Sequence, residues 1–219
     1  MAEGIYKITE EFEKEICKYT GALYCVAVDN QSNALYLSLM YEGVENRVIK
    51  IPSRTYPSVP CEIIRAGGFV EFIPCDKETL KGAYPLLNTR TWDSALRFTN
   101  NMYIPGSFMC LSFTGPYKHL KLSKGGAILI DDYQAYCWLK RARFSGRREC
   151  SYHEDKLDFL GINCYLMPEL AARGILLMSQ FYDRGIPKKN EDIELPYPDL
   201  SKYLIYTKGK KIGSLKEQE

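Results

Sequence analysis

Few residues in this chain are of a type and spacing suited to chemistry, and each has a bland reading beside the reactive one. Lys118 lies on TGPYKHLKLSK, between the apolar runs FMCLSF and GGAILID; most lysines simply sit on the surface. Asp93 stands in WDSA, where a turn or a cap would account for an aspartate. Gln31 and Ser32 follow the β-branched run LYCVAV, where a strand gives way to a helix and free N–H groups favour an anion. Ser112 offers a further hydroxyl and Asn163, in GIN, a side-chain amide; turn chemistry explains these as well. Tyr56, in SRTYPS, is one of 17 tyrosines, most of which must be packing residues. The run KRARFSGRR carries Arg141, Arg143, Arg147 and Arg148. Arginine pairs with phosphate and carboxylate, yet cations at a helix C-terminus also suit the dipole.

Metal and disulfide chemistry fit poorly. The eight cysteines are scattered without a CxxC pair, mostly inside apolar runs, and only His119 and His153 could supplement them. They read as buried thiols. Formal charge is +2 from 29 basic and 27 acidic residues, so no global field draws the chain to nucleic acid or an anionic membrane. The N-terminus lacks an apolar signal core, and no run approaches the ~18 apolar residues of a membrane span, so a cytoplasmic protein is expected.

The elements that must position these residues follow from periodicity. Ile8, Phe12, Ile16 and Tyr19 recur at helical spacing after a Thr9 cap and before Gly21, and LYCVAV is a buried strand. A second helix carries Ala34, Leu35, Leu37, Ser38 and Leu39 and stops near Gly43. RVIKI, broken by Pro52, is a strand; residues 58–67 form a short helix; FVEFIP is the next strand. From 77 to 107 a loop is predicted, with a short strand at 89–92. FMCLSF and GGAILID are strands, DYQAYCWLKRARF is a helix, and a last helix runs from about Pro168 to near Arg184. This rhythm predicts an α/β fold, a mostly parallel sheet flanked by helices. Residues 1–185 form the main domain and 186–219 a short extension, whose tail KGKKIGSLKEQE is expected to be disordered.

Five ordered blocks resemble the sugar aminotransferases of the DegT/DnrJ/EryC1/StrS family. They are FEKEICKYTGALYCVAVDNQSNALYLSLMYEGV, VIKIPSRTYPSVPCEIIRAGGFVEFIPCD, WDSA, SFTGPYKHLKLSKGGAILIDD and GINCYLMPELAARGILLMSQF, about two thirds of the chain. The resemblance implies a reduced type I fold and pyridoxal 5′-phosphate as cofactor. It implies that Lys118 holds the cofactor as a Schiff base and shuttles the substrate proton, and that Asp93 pairs with the pyridine nitrogen. Gln31, Ser32 and Ser112 would cradle the phosphate, Tyr56 would stack on the ring, and Asn163 would reach the neighbouring subunit's phosphate, making a homodimer with shared sites. Substrates would be an amino donor, glutamate or glutamine, and a keto sugar carried on a nucleotide. Arg141 and Arg147 are candidates to grip the substrate.

The chain departs from the family at several points. Gln31 stands where glycine is usual, Leu96 where a polar residue is common, and the Ser112-to-Lys118 spacing is one residue longer. Sixteen residues separate Asp76 from Asp93, so part of the sheet is expected to be missing. The chain ends soon after the Asn163 block, so the usual C-terminal small domain is expected to be absent or a remnant. Two other readings therefore stand beside transamination: a pyridoxal-phosphate decarboxylase or lyase acting on another amine, and a degenerate module without catalysis.

Overall fold

The computed structural model describes residues 6–75, 82–116, 118–184 and 197–206. Helix α1 (Lys7–Thr20) leads to strand β1 (Tyr24–Val28), α2 (Gln31–Tyr41), β2 (Val48–Pro52), α3 (Ser58–Arg65) and β3 (Phe69–Ile73). The short strands β4 (Tyr84–Pro85) and β5 (Thr91–Ser94) follow, then β6 (Phe108–Ser112), β7 (Gly126–Ile130), α4 (Tyr133–Ala142) and α5 (Pro168–Arg184). Two single 3-10 turns, Leu200–Lys202 and Leu204–Tyr206, close the described chain. Among the described residues no helix is long and apolar enough to cross a membrane.

Local sequence explains most of these bounds. α1 buries Phe12, Ile16 and Tyr19 and ends on Gly21, whose φ of 81° lets its N–H reach Cys17 O at 2.9 Å. The expected Thr9 cap is wrong. Tyr6 occupies the N-cap, while Thr9 sits buried inside the first turn. α2 begins on Asn30, whose side chain accepts from Asn33 N at 2.8 Å. It is apolar nearly all round because it is covered by the sheet, α3 and α4.

Strand alternation divides the core in two. Val26, Val28, Phe108, Cys110, Ile128 and Ile130 face α2, α3 and α4, whereas Cys25, Ala27, Met109, Leu111, Ala127 and Leu129 pack with Phe12, Ile16 and Met178 of α1 and α5. The result is three layers, with helices on both faces of the sheet.

The α/β class is as expected, but the sheet is mixed rather than mostly parallel. Its main part has the order β1-β7-β6-β5-β4, and only β5–β6 runs parallel within it. β1–β7, β6–β7 and β4–β5 are antiparallel. The parallel pair β2–β3 joins through one antiparallel bridge, Lys50 to Leu87. The reason lies in the connections. A parallel crossover takes about a dozen residues or more, usually through a helix. Residues 86–90 allow only a tight return, closed by Leu86 N to Thr91 O at 2.8 Å. Residues 113–125 carry no helix among those described. The α-helical rhythm was correctly read in β2-α3-β3; what it missed is that α2 carries the chain across the sheet, from the β1 edge towards β2.

The strand expected at 89–92 is β5, two residues later, so Asp93 lies within a strand. Residues 197–206 dock on the body: Leu200 is buried and its N–H donates to Ser53 O at 2.8 Å. The expected disordered tail, 208–219, lies outside the described residues.

Candidate active site

Asp93 is only 4% exposed, in the middle of the β4–β5–β6 ladder. The antiparallel register sets Tyr84 directly opposite it, and paired residues share a face. Tyr84 OH therefore donates to Asp93 Oδ2 at 2.8 Å, with Thr55 Oγ1 in a short hydrogen bond behind it. Asp93 Oδ1 accepts from Ala95 N at 2.8 Å and from Gln31 Nε2 at 2.6 Å. Gln31 is the first residue of α2, so its side chain joins the strand-to-helix junction to the buried carboxylate.

Lys118 arrives from the β6–β7 loop and donates from Nζ to Ala95 O at 2.5 Å, two residues beyond Asp93. Burial lowers its pKa, and the Asp93 charge offsets part of that. Burial raises the Asp93 pKa, against the pull of Ala95 N–H, Tyr84, Gln31 and the Lys118 charge. Each charge thus favours the ionised form of the other, against the burial that disfavours both.

Beside Asp93 opens a small cleft lined by Thr55, Tyr56, Gly82, Tyr84, Asp93, Ala95, Leu96 and Tyr197. Tyr56 is 53% exposed on its wall, an aromatic face available to a ligand. Leu96 makes the cleft more apolar than a polar residue there would.

Ser112 ends β6 opposite Gly126, beside the start of α2. A Cβ on Gly126 would stand 2.7 Å from Asn30 C and Gln31 N and 2.8 Å from Leu111 O. Only glycine lets the α2 N-terminus approach the sheet this closely, which brings Gln31, Ser32 and Ser112 to one end of it. Asn163 is exposed, bridged to Phe144, next to Cys164, whose carbonyl accepts from Asp29 N at 2.8 Å. It lies by the β1 edge and does not line the Lys118 cleft of its own chain.

Arg141 and Arg147 are not brought to that cleft either. Arg141 pairs with Asp158, donates to Gly146 O and lies over the Phe159 ring at 4.7 Å. Arg147 stacks over Tyr152 at 3.6 Å and pairs with Asp155 at 3.6 Å. Both belong to the β1 side, and β1 is three strand positions from β5, about 14 Å. Of the eight cysteines expected to be buried thiols only Cys25, Cys110 and Cys164 are buried, while Cys17, Cys61, Cys75 and Cys150 are partly exposed and Cys137 is exposed; burial pushes Cys164 up to about 12, far from a reactive thiolate.

Comparison with known proteins bears on the fold and on part of the sequence. Residues 3–83 match the model of the DegT/DnrJ/EryC1/StrS aminotransferase family. The family is the one its residues resemble. Three solved structures share the fold: DesV of S. venezuelae, crystallised with a ketimine intermediate (20% identity, TM-score 0.68); a DegT DnrJ EryC1 StrS aminotransferase from Brucella abortus (21%, 0.67); and Helicobacter pylori PseC, an aminotransferase of pseudoaminic acid biosynthesis (15%, 0.67). They cover 79–80% of this chain, which spans 57–59% of theirs. A search of curated proteins found no match.

Tyr84, Thr55 and Tyr197 are site residues that sequence reasoning missed. Tyr84 had a signal, since a second strand before WDSA would have paired it with Asp93. Tyr197 had none.

Proposed function

We propose that this chain is a pyridoxal-phosphate-dependent aminotransferase that moves an amino group from glutamate or glutamine to a keto sugar carried on a nucleotide. The observation that carries the proposal is the convergence of the Lys118 amine and the Asp93 carboxylate on the backbone of Ala95, a residue that lines the cleft with Asp93. The residues present fit the cofactor. A carboxylate has about four lone-pair sites; Gln31, Ala95 and Tyr84 take three of those on Asp93, leaving one for a ring nitrogen.

When bound, pyridoxal phosphate supplies an aldehyde for the lysine and a protonated ring that accepts electrons. Lys118, its pKa lowered by burial, would be the amine that holds the cofactor and, when free, the base that moves the substrate Cα proton. Asp93 would keep the ring nitrogen protonated, Tyr56 would cover the ring face, and Gln31 N, Ser32 and Ser112 would hold the phosphate at the α2 N-terminus. Exposed Asn163 would serve the site of a second copy, in a cytoplasmic homodimer. Arg141 and Arg147 could grip a substrate only by exchanging their present partners, and nothing in the cleft favours that.

The test is an absorbance spectrum with pyridoxal phosphate before and after borohydride, with the labelled peptide located by mass spectrometry. A band near ~420 nm fixed by reduction onto Lys118, and lost in Lys118→Ala, supports the reading. No band, or a label elsewhere, sinks it and leaves the chain a non-catalytic module.

A further inference from the structure

One loop, residues 53–56, faces both ways. Inwards, Thr55 backs Tyr84 and Tyr56 lines the cleft. Outwards it anchors a segment from far along the chain. Arg54 Nη1 donates to Tyr197 O at 3.0 Å, and Ser53 O accepts from Leu200 N at 2.8 Å. Leu200 is 2% exposed, and Tyr206 meets Phe72 edge-on with ring centroids 6.2 Å apart. Asp199 starts the turn by accepting from Ser201 N at 3.1 Å. The segment is thus fixed at both ends by backbone and core contacts, and what it delivers is one ring. Tyr197 meets Tyr56 at 5.8 Å with a 72° interplanar angle and lines the same cleft as Asp93, Ala95 and Leu96.

We infer that Tyr197, delivered by the docked segment 197–206, is a ligand-facing wall of the cleft that works with Tyr56 to hold a planar aromatic ring against Asp93. Tyr56 alone is half open to water and confines a ring from one side only. A second ring set edge-on to it closes a corner in which a flat heterocycle is held by one face and one edge. Burial and the Asp93 charge both raise the Tyr197 pKa, which favours the phenol as a hydrogen-bond donor. The segment therefore controls ring affinity without belonging to the sheet that supplies Lys118 and Asp93.

The inference rests on the proposed cofactor, and titration of pyridoxal phosphate followed by absorbance separates the two. Tyr197→Ala is expected to weaken uptake about tenfold, while Tyr197→Phe, which keeps the ring, stays within about threefold of wild type. Leu200→Ala, which loosens the anchor and leaves the ring, must move affinity in the same direction as Tyr197→Ala. Far-UV circular dichroism verifies that each variant is folded, and Leu200→Ala decides the matter if Tyr197→Ala is not. Wild-type affinity in the folded variants overturns the inference while leaving the proposed function standing. No uptake by the wild-type chain itself overturns both.

Discussion

Asp93 is held by three donors and surrounded by apolar packing, and only part of that arrangement favours its charge. Burial outweighs the donors, so its folded pKa lies above the ordinary value of 3.8. The sign follows directly: the native state binds this proton more readily than the unfolded chain, so its contribution to stability falls as pH rises from about 3.8 through the raised value. Asp93→Asn removes the charge and keeps the geometry. Oδ1 still accepts from Gln31 and Ala95, and the new amide can donate to the Tyr84 oxygen. At pH 7 the variant is expected to melt above wild type. The gap should close towards pH 4, as thermal melts across pH would register. If the proposed function holds, transamination should drop about 10²–10³-fold in this variant, since the carboxylate proposed to face the ring nitrogen is lost. A variant less stable than wild type at pH 7 would mean that the carboxylate is held for stability rather than for chemistry.

At the scale of elements, the site depends on how closely α2 meets the sheet. Gly126→Ala sets a methyl group against the backbone of Asn30, Gln31 and Leu111, none of which is the yielding end of a flexible side chain. Destabilisation of about 1–3 kcal/mol is expected, with weaker pyridoxal phosphate uptake because the α2 N-terminus is displaced. Urea unfolding and the same titration measure both, and an unchanged midpoint would mean that α2 does not need this approach. Here the sequence was partly legible. Helix and strand periodicity located α1, α2, α3, β1, β3, β6, β7, α4 and α5 to within a few residues, and the ordered blocks singled out Lys118 and Asp93. Strand direction was not legible, because LYCVAV reads the same whether it pairs parallel or antiparallel; only the chain lengths of the connections decide. β4 was missed because two residues have no period. Tyr197 was missed because its position is fixed by Ser53 and Arg54, well over a hundred residues away in the chain.

Across the whole molecule, one ion pair joins the layers at the exposed side of β1. Among the described residues β1 ends the sheet, and although Val28 bridges to Tyr165, the groups of Ala27 that point away from β7 meet no further strand. Glu13 of α1 accepts from Ala27 N at 2.8 Å, and Arg143, just after α4, donates to Ala27 O at 2.6 Å. The two side chains also pair with each other and are 3–4% exposed. Together they stand in for the missing neighbour strand and tie both helical layers to the strand from which α2 departs. Glu13→Gln keeps an acceptor for Ala27 N but leaves the Arg143 charge buried. Glu149 keeps its ion pair with Arg143 at 3.5 Å and balances part of that charge. The expected cost is about 3 kcal/mol, the lower end for breaking a buried pair. Adding Arg143→Gln removes the stranded charge while its amide can still donate to Ala27 O, so the double variant should be more stable than Glu13→Gln alone. Urea unfolding of the two single variants and the double measures the coupling. If the double variant is the least stable, the pair acts through packing volume rather than charge, and the edge of β1 is held by some other contact.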